Sequence, residues 1–403
     1  MLKTGAAVNK PNFIIHLPRR GAYDGVLLAV YVAICCLLFV LPQTPLRTLF
    51  HLVVIPAFLL LAPTAYLRAV WQSSVWRLTL IFMTWLWLTL FWSQDVKWYV
   101  FFEQGGRVFA VLFFVTVTAQ LFLRRPDFLR RLFQGLLLVS LITSAAAILW
   151  QVWNGNFLDE RFQASGRAVS QTYGAAMFGA IIIGSFYALR PLASGTMQRV
   201  ALWAAMGFLV GFMELSGSRG PLGALIVVGL TAAMCRGPRS SARFLLPAAG
   251  LTVAGAAILE SIRPGFFLAR GNSYRLEIWR QAWDLIKQVP LFGRGLGTKA
   301  EFIMQDGNVY NHPHNLFLAN QLNGGVVASV LFLALLGLTF RMAWRERRRE
   351  GMLIGLLLLF TLCCGMVDFH IIPTAINPEY LYFWLPVGLA CALQARKNSE
   401  SLT

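Results

Sequence analysis

Charge is scarce in this chain. Charged residues make up 13% of its 403 positions, about half the share found in soluble domains. Too few are present to solvate the surface of an ordinary aqueous globule. Cysteine is sparse too. Cys35, Cys36, Cys235, Cys363, Cys364 and Cys391 lie in or at the ends of apolar runs, and none form a C-x-x-C pair. Neither a disulfide framework nor a zinc site is expected. The acidic residues form no D-x-D or H-E-x-x-H pattern, so convergent hard ligands for a metal are missing. No G-x-S-x-G elbow is present, which removes the usual serine nucleophile. Gly293-Arg294-Gly295-Leu296-Gly297 has no strand before it and cannot be a nucleotide-binding turn.

Apolar residues, by contrast, reach 57%. Runs of about 20 residues recur along the chain, as in a polytopic helical membrane protein. The expected fold is all-α, because backbone groups must find their partners within each segment in lipid. Twelve spans are expected, near 22–41, 46–62, 76–92, 107–123, 132–152, 172–190, 199–213, 220–235, 243–260, 314–340, 351–370 and 379–395. The chain thus divides into a first block of spans in 1–260, a loop 261–313, and a last block in 314–403. The first run follows Lys3, Lys10, Arg19 and Arg20 without a small-residue cleavage site, so it reads as an uncleaved span.

The net charge of +18 is unevenly placed. With both termini in the cytoplasm, 22 of the 35 Lys/Arg fall on inner segments and 12 of the 17 acidic residues on outer ones. That satisfies the positive-inside rule. Arg341, Arg345, Arg347, Arg348 and Arg349 then read as a lipid-facing anchor, and no nucleic-acid partner is expected. The 261–313 loop faces outward. Within it, Leu276, Trp279, Trp283 and Ile286 recur at helical spacing, with Ala282, Leu285 and Val289. An amphipathic helix over Tyr274–Val289, capped by Ser273 and ended by Pro290, is expected to lie along the membrane boundary.

The loop closes on Asn311-His312-Pro313-His314-Asn315. Pro313 suits a first helical turn, which would place His314 and Asn315 beside unpaired N–H groups able to hold an anion. A histidine there titrates near neutral pH and can act as a general base. Pro313 is expected to splay His312 away from His314. A second group is cationic. Arg219 sits in Ser216-Gly217-Ser218-Arg219-Gly220-Pro221, Arg161 and Arg167 precede a span, and Arg270 and Arg275 flank the amphipathic helix. Arginine grips phosphate oxygens with two prongs. On the outer side of a bacterial inner membrane no sugar nucleotide is available, so a transferase there needs a lipid-borne, activated donor.

Ser218-Arg219-Gly220, Arg275 with Trp279, Pro290-Leu291-Phe292-Gly293-x-Gly295, and His314-Asn315 leading to Asn323-Gly324-Gly325 together resemble the O-antigen ligase and polymerase family. Ala328 stands where the ligase pattern has Gly, Thr or Tyr. The resemblance implies a GT-C-type inner-membrane glycosyltransferase with about twelve spans and one large periplasmic loop. It implies transfer of O-antigen polysaccharide from undecaprenyl pyrophosphate to lipid A–core oligosaccharide. A single displacement would invert the anomeric centre, and with scattered carboxylates and outer arginines in place of ligand motifs no metal or other cofactor is expected. His314 and Arg219 would be catalytic. Arg219, Arg275, Arg161 and Arg270 would hold the pyrophosphate, supported by His312, Asn315 and Arg167. The ligase branch is expected because protein-glycosylating relatives usually extend further, and this chain stops at Thr403. An O-antigen polymerase, a protein O-oligosaccharyltransferase and a non-catalytic transporter of lipid-linked oligosaccharide stay open. Charged residues at the span edges, not the midplane, favour the enzymes over the transporter.

Overall fold

The computed structural model describes residues 22–61, 64–94, 96–155, 161–236, 250, 252–266, 274–346, 349–369 and 373–400. Among the described residues, helical segments fall within each of the twelve apolar stretches. Among the described residues, seven helices are long and apolar enough to cross a membrane, namely Gln43–Leu60, Ser74–Trp92, Trp98–Arg124, Phe128–Trp153, Gln171–Leu192, Thr196–Leu215 and Leu316–Arg345. Tyr23–Leu37, Arg219–Cys235 and Thr252–Ile262 are shorter apolar helices. The protein is therefore mostly helical, as an all-α polytopic membrane protein should be.

Hydroxyl residues sit inside these helices without breaking them. Thr79, Thr116, Thr339 and Thr361 each donate to the carbonyl four residues back, at 2.7–2.8 Å. Bonding to its own helix removes the cost of burying each hydroxyl. The core between helices is rich in aromatic rings. Phe114 stacks on Tyr31 at 5.4 Å and meets Tyr380 edge-on at 4.9 Å. The helix Arg349–Gly365 lies at the centre of one half of the bundle. It packs against Leu316–Arg345, Arg219–Arg236 and Gln171–Ala188, so whatever follows its C-terminal end is surrounded by those helices.

The long helix expected from Pro313 differs in two ways. It begins at Leu316, capped by Asn315, and it is interrupted at Gly325, where φ is 66° and ψ −163°. Only glycine adopts that conformation readily. The break would strand backbone groups inside the protein. The preceding loop supplies their partners. Arg294 and Gly295 donate N–H to the carbonyls of Leu322 and Asn323, at 2.8 and 3.0 Å, and Val326 donates to the Pro290 carbonyl at 2.9 Å. Trp85 Nε1 takes the Gly324 carbonyl at 2.9 Å. Close approach demands glycine on both sides. A Cβ at Gly325 would meet the Leu291 oxygen at 2.2 Å, and one at Gly293 would meet the Gly325 nitrogen at 2.6 Å. The two glycine motifs separated in sequence are thus the two halves of one joint.

The amphipathic helix spans Arg275–Gln288. Ser273 lies outside the described residues, and Tyr274, at φ 58°, takes the cap position. The buried row is Ile278, Ala282 and Ile286, packed on Phe302, Ala300, Met304 and Leu322. Phe302 belongs to a two-stranded antiparallel hairpin that pairs Phe302 with Tyr310 and Ile303 with Val309. Leu276 and Trp283, expected in the same stripe, are 60% and 52% exposed. The face that meets protein is therefore rotated from the expected one, because Ile278 offers a branched apolar side chain to the hairpin.

Candidate active site

His314 precedes its helix in left-handed backbone, with φ at 48°. Histidine tolerates that region better than most side chains, yet holding it there costs about 1–3 kcal/mol. Neighbouring bonds fix the conformation. The His314 N–H donates to His312 Nδ1 at 3.2 Å. Asn315 accepts from the N–H groups of Phe317 and Leu318 at 2.9 and 3.0 Å, which is the usual role of an N-cap. Its side-chain amide donates to the Met366 carbonyl at 2.9 Å.

Two sequence expectations are corrected here. His314 and Asn315 are not in the first turn, because the Asn315 oxygen itself occupies the N–H groups a ligand would have used. Nor does Pro313 splay the two histidines. Their ring centroids are 3.8 Å apart with planes at 43°, since the left-handed turn at His314 folds its ring back over His312.

The His314 ring points to a partner that the motif does not contain. Nδ1 lies 2.7 Å from Asp368 Oδ1. Asp368 stands three residues beyond the helix Arg349–Gly365 and is only 9% exposed. Burial pushes its carboxyl up, but the hydrogen bond and charge of His314, the Thr172 hydroxyl and the Arg275 charge outweigh burial and hold it below the usual carboxylate range. An ionised carboxylate only accepts, so Nδ1 carries a proton in this pair, and in the neutral ring the lone pair falls on Nε2.

The segment around Asp368 gathers the other motifs. The Val367 carbonyl accepts from Arg275 Nε at 2.6 Å. Gly220, beside Arg219, approaches so closely that a Cβ there would lie 3.1 Å from Val367 Cγ2. Tyr173, next to Thr172, stacks on Phe369 at 5.2 Å with planes 19° apart. Arg219 opens the helix Arg219–Arg236 and is exposed. Arg161 donates through Nη1 to Gln171 at 3.2 Å, and a Cβ on Gly217 would sit 2.9 Å from its Nε. His312, His314, Asn315, Arg275, Arg161 and the Arg219–Gly220 helix start therefore meet at one end of the bundle. Arg167 turns elsewhere, donating Nε to Asn377 Oδ1 at 2.9 Å and facing the buried Glu379. Arg270 and His370 lie outside the described residues.

Asp368 is the participant that sequence reasoning missed. Nothing local in the sequence ties it to His314, which is 54 positions away. Among the described residues, no group of three or more His, Cys, Asp or Glu side chains is placed to hold a metal ion. The arrangement offers instead a carboxylate-oriented imidazole beside guanidinium groups. Such a pair can accept a proton from a hydroxyl while the cations hold an anionic leaving group.

Comparison with known proteins agrees with the motif resemblance. A model of the O-antigen ligase family matches residues 204–333. An O-antigen ligase from Pseudomonas aeruginosa is 28% identical over 335 residues, covering 81% of this chain and 79% of that protein. The matched segment holds Arg219, Arg275, both halves of the glycine joint and His314. Asp368, Arg161 and Arg167 lie outside it.

Proposed function

We propose that this chain, similar to O-antigen ligases over most of its length, is itself a ligase of that kind. It would transfer O-antigen polysaccharide from undecaprenyl pyrophosphate to a sugar hydroxyl of lipid A–core oligosaccharide, as a GT-C-type enzyme with twelve spans. Both termini would face the cytoplasm, and the 261–313 loop and the His314 end would face the periplasm. The observation that carries this reading is the His314–Asp368 pair, held at the same turn that anchors Arg275 and packs on the Arg219 helix start.

In this mechanism His314 Nε2 takes the acceptor hydroxyl proton as that oxygen forms its bond to the anomeric carbon. The bond from that carbon to the pyrophosphate oxygen breaks, and the electron pair leaves with the pyrophosphate. One displacement inverts the anomeric centre. Asp368 fixes the tautomer and stabilises the imidazolium. Arg275 spends Nε on Val367 and has its two Nη groups for phosphate, with Arg219 and Arg161 beside it. Arg167 is a structural support through Asn377. No metal is needed in this reading, because guanidinium groups neutralise the leaving group.

The test is reconstitution of the full-length protein in nanodiscs with lipid-linked polysaccharide and lipid A–core. A joined product on a gel is the expected outcome. Longer lipid-linked polymer without joining would make it a polymerase, and sugar on a protein acceptor an oligosaccharyltransferase. Donor movement with no covalent product in any arm would overturn the enzyme.

A further inference from the structure

A second site lies at the opposite end of the bundle. The helix Gln171–Ala188 starts at the candidate active site with Thr172 and Tyr173, and ends at Tyr187 and Ala188 on the wall of a cavity of ≈ 400 Å³. Its 18 residues separate the two places by about 25 Å. The helix Arg349–Gly365 runs the other way, with Arg349 and Glu350 on the cavity and its far end leading to Asp368.

Arg125, Arg130, Arg349 and Arg396 line this cavity against two carboxylates, Asp127 and Glu350. Asp127 is already committed, with Arg130 and Arg131 at 3.9 and 3.5 Å from its Oδ2. Arg125 grips it through Nε and Nη2, at 2.9 and 3.0 Å, and that bond draws its carboxyl down to about 2. Arg349 was expected to be a lipid-facing anchor. It turns inward, donating Nε and Nη2 to the Tyr187 and Ala188 carbonyls. Those carbonyls are orphaned by the end of their helix and are neutral, which leaves Glu350 as the carboxylate that faces Arg349. Arg396 lies over the Phe122 ring at 5.4 Å. Cationic charge is thus in excess inside a recess. Phe122, Pro126, Leu129, Leu192 and Leu353 form the apolar part of the lining, and Leu192 is 50% exposed.

We propose that this cavity binds the phosphodiester headgroup of an anionic glycerophospholipid from the leaflet opposite the candidate active site. The guanidinium groups take the phosphate oxygens, and the apolar edge takes the start of an acyl chain. Soluble phosphate has the same anionic chemistry but no use for that edge.

Native mass spectrometry of the full-length protein in phosphatidylcholine nanodiscs, titrated with phosphatidylglycerol, tests the site. Phosphatidylglycerol should bind and added phosphatidylcholine should not. Arg130→Gln and Arg396→Gln should each weaken binding about fivefold, and the double variant about 25-fold, as expected for basic residues near a lipid surface. Arg341→Gln, on the same end but outside the cavity, should bind as wild type. Leu192→Glu provides an independent variant that leaves all four arginines in place and should also weaken binding. Equal retention of both lipids, or wild-type affinity in the double variant and in Leu192→Glu, would overturn the site. Displacement of the lipid by millimolar inorganic phosphate would overturn the lipid as its occupant.

Discussion

Asp368→Asn is the most searching perturbation of the proposed chemistry. The change keeps size and shape, and the amide oxygen can still accept from Nδ1–H. It removes the charge that stabilises an imidazolium when His314 takes a proton. The contact is 2.7 Å between Nδ1 and Oδ1, which places the two charge centres about 4 Å apart. At an effective dielectric of about 20 their attraction is about 4 kcal/mol. The side chains are 23% and 13% exposed, so solvent trims this to about 3 kcal/mol, or roughly a hundredfold to a thousandfold in rate. The amide can also turn its NH2 toward Nδ1 and lock the wrong tautomer, which adds to the loss. His314→Ala should cost at least as much, up to about 10,000-fold for a lost general base. The assay is single-turnover joining of lipid-linked polysaccharide to lipid A–core by nanodisc-reconstituted variants of matched melting temperature. If Asp368→Asn stayed within threefold of wild type while His314→Ala was inactive, the carboxylate would not belong to the mechanism.

Further outcomes follow from the same geometry. Arg219→Lys keeps charge but loses the two-pronged grip, so transfer should fall at least tenfold at unchanged protein level; full activity would make Arg219 an ordinary surface cation. Gly325→Ala forces a Cβ to 2.2 Å from the Leu291 oxygen at a positive φ, and should cost about 2–3 kcal/mol or more, read as a lower melting temperature in detergent. Gly337→Ala, with nothing within 4 Å of its Cβ, is the control and should not melt earlier. Transfer should survive excess EDTA and gain nothing from magnesium or manganese, and restoration by a metal after chelation would refute the guanidinium clamp. Because the Asp368 carboxyl is held below its ordinary value, its stabilisation is fully present above about pH 3.9 and is lost as pH falls through the lower folded value. Asp368→Asn should flatten that acid-side decline in melting temperature, and an unchanged decline would place the titrating group elsewhere.

What the sequence discloses depends on whether the interaction is local. Hydrophobic runs report burial directly, so the helical stretches could be placed from composition alone. Single side chains at helix ends are harder. Pro313 signals a helix start by its fixed φ, but Asn315 competes for the cap with a side-chain oxygen and wins two N–H groups. Periodicity puts Leu276 and Trp283 in the apolar stripe of the amphipathic helix, whereas the hairpin selects Ile278 and leaves those two exposed. That choice depends on the partner surface, which lies downstream in the chain.

The glycine joint shows the same limit from the other side. Gly293 and Gly295 stand in a loop motif, and Gly324 and Gly325 in a motif inside an expected helix. Neither motif alone says why a long apolar helix should tolerate a break. The reason is mutual. The loop carries N–H groups and carbonyls with no partner of their own, the break exposes the complementary set, and each satisfies the other. The half of the helix before the break is Leu316–Gly324, which starts at Asn315 and so carries the His314 turn. Fixing the joint therefore fixes the height of His314 above the turn at Asp368. A glycine motif more than ten residues from the histidine sets the geometry of the proposed base, which is why a substitution at Gly325 should reduce transfer as well as stability, through the His314–Asp368 distance.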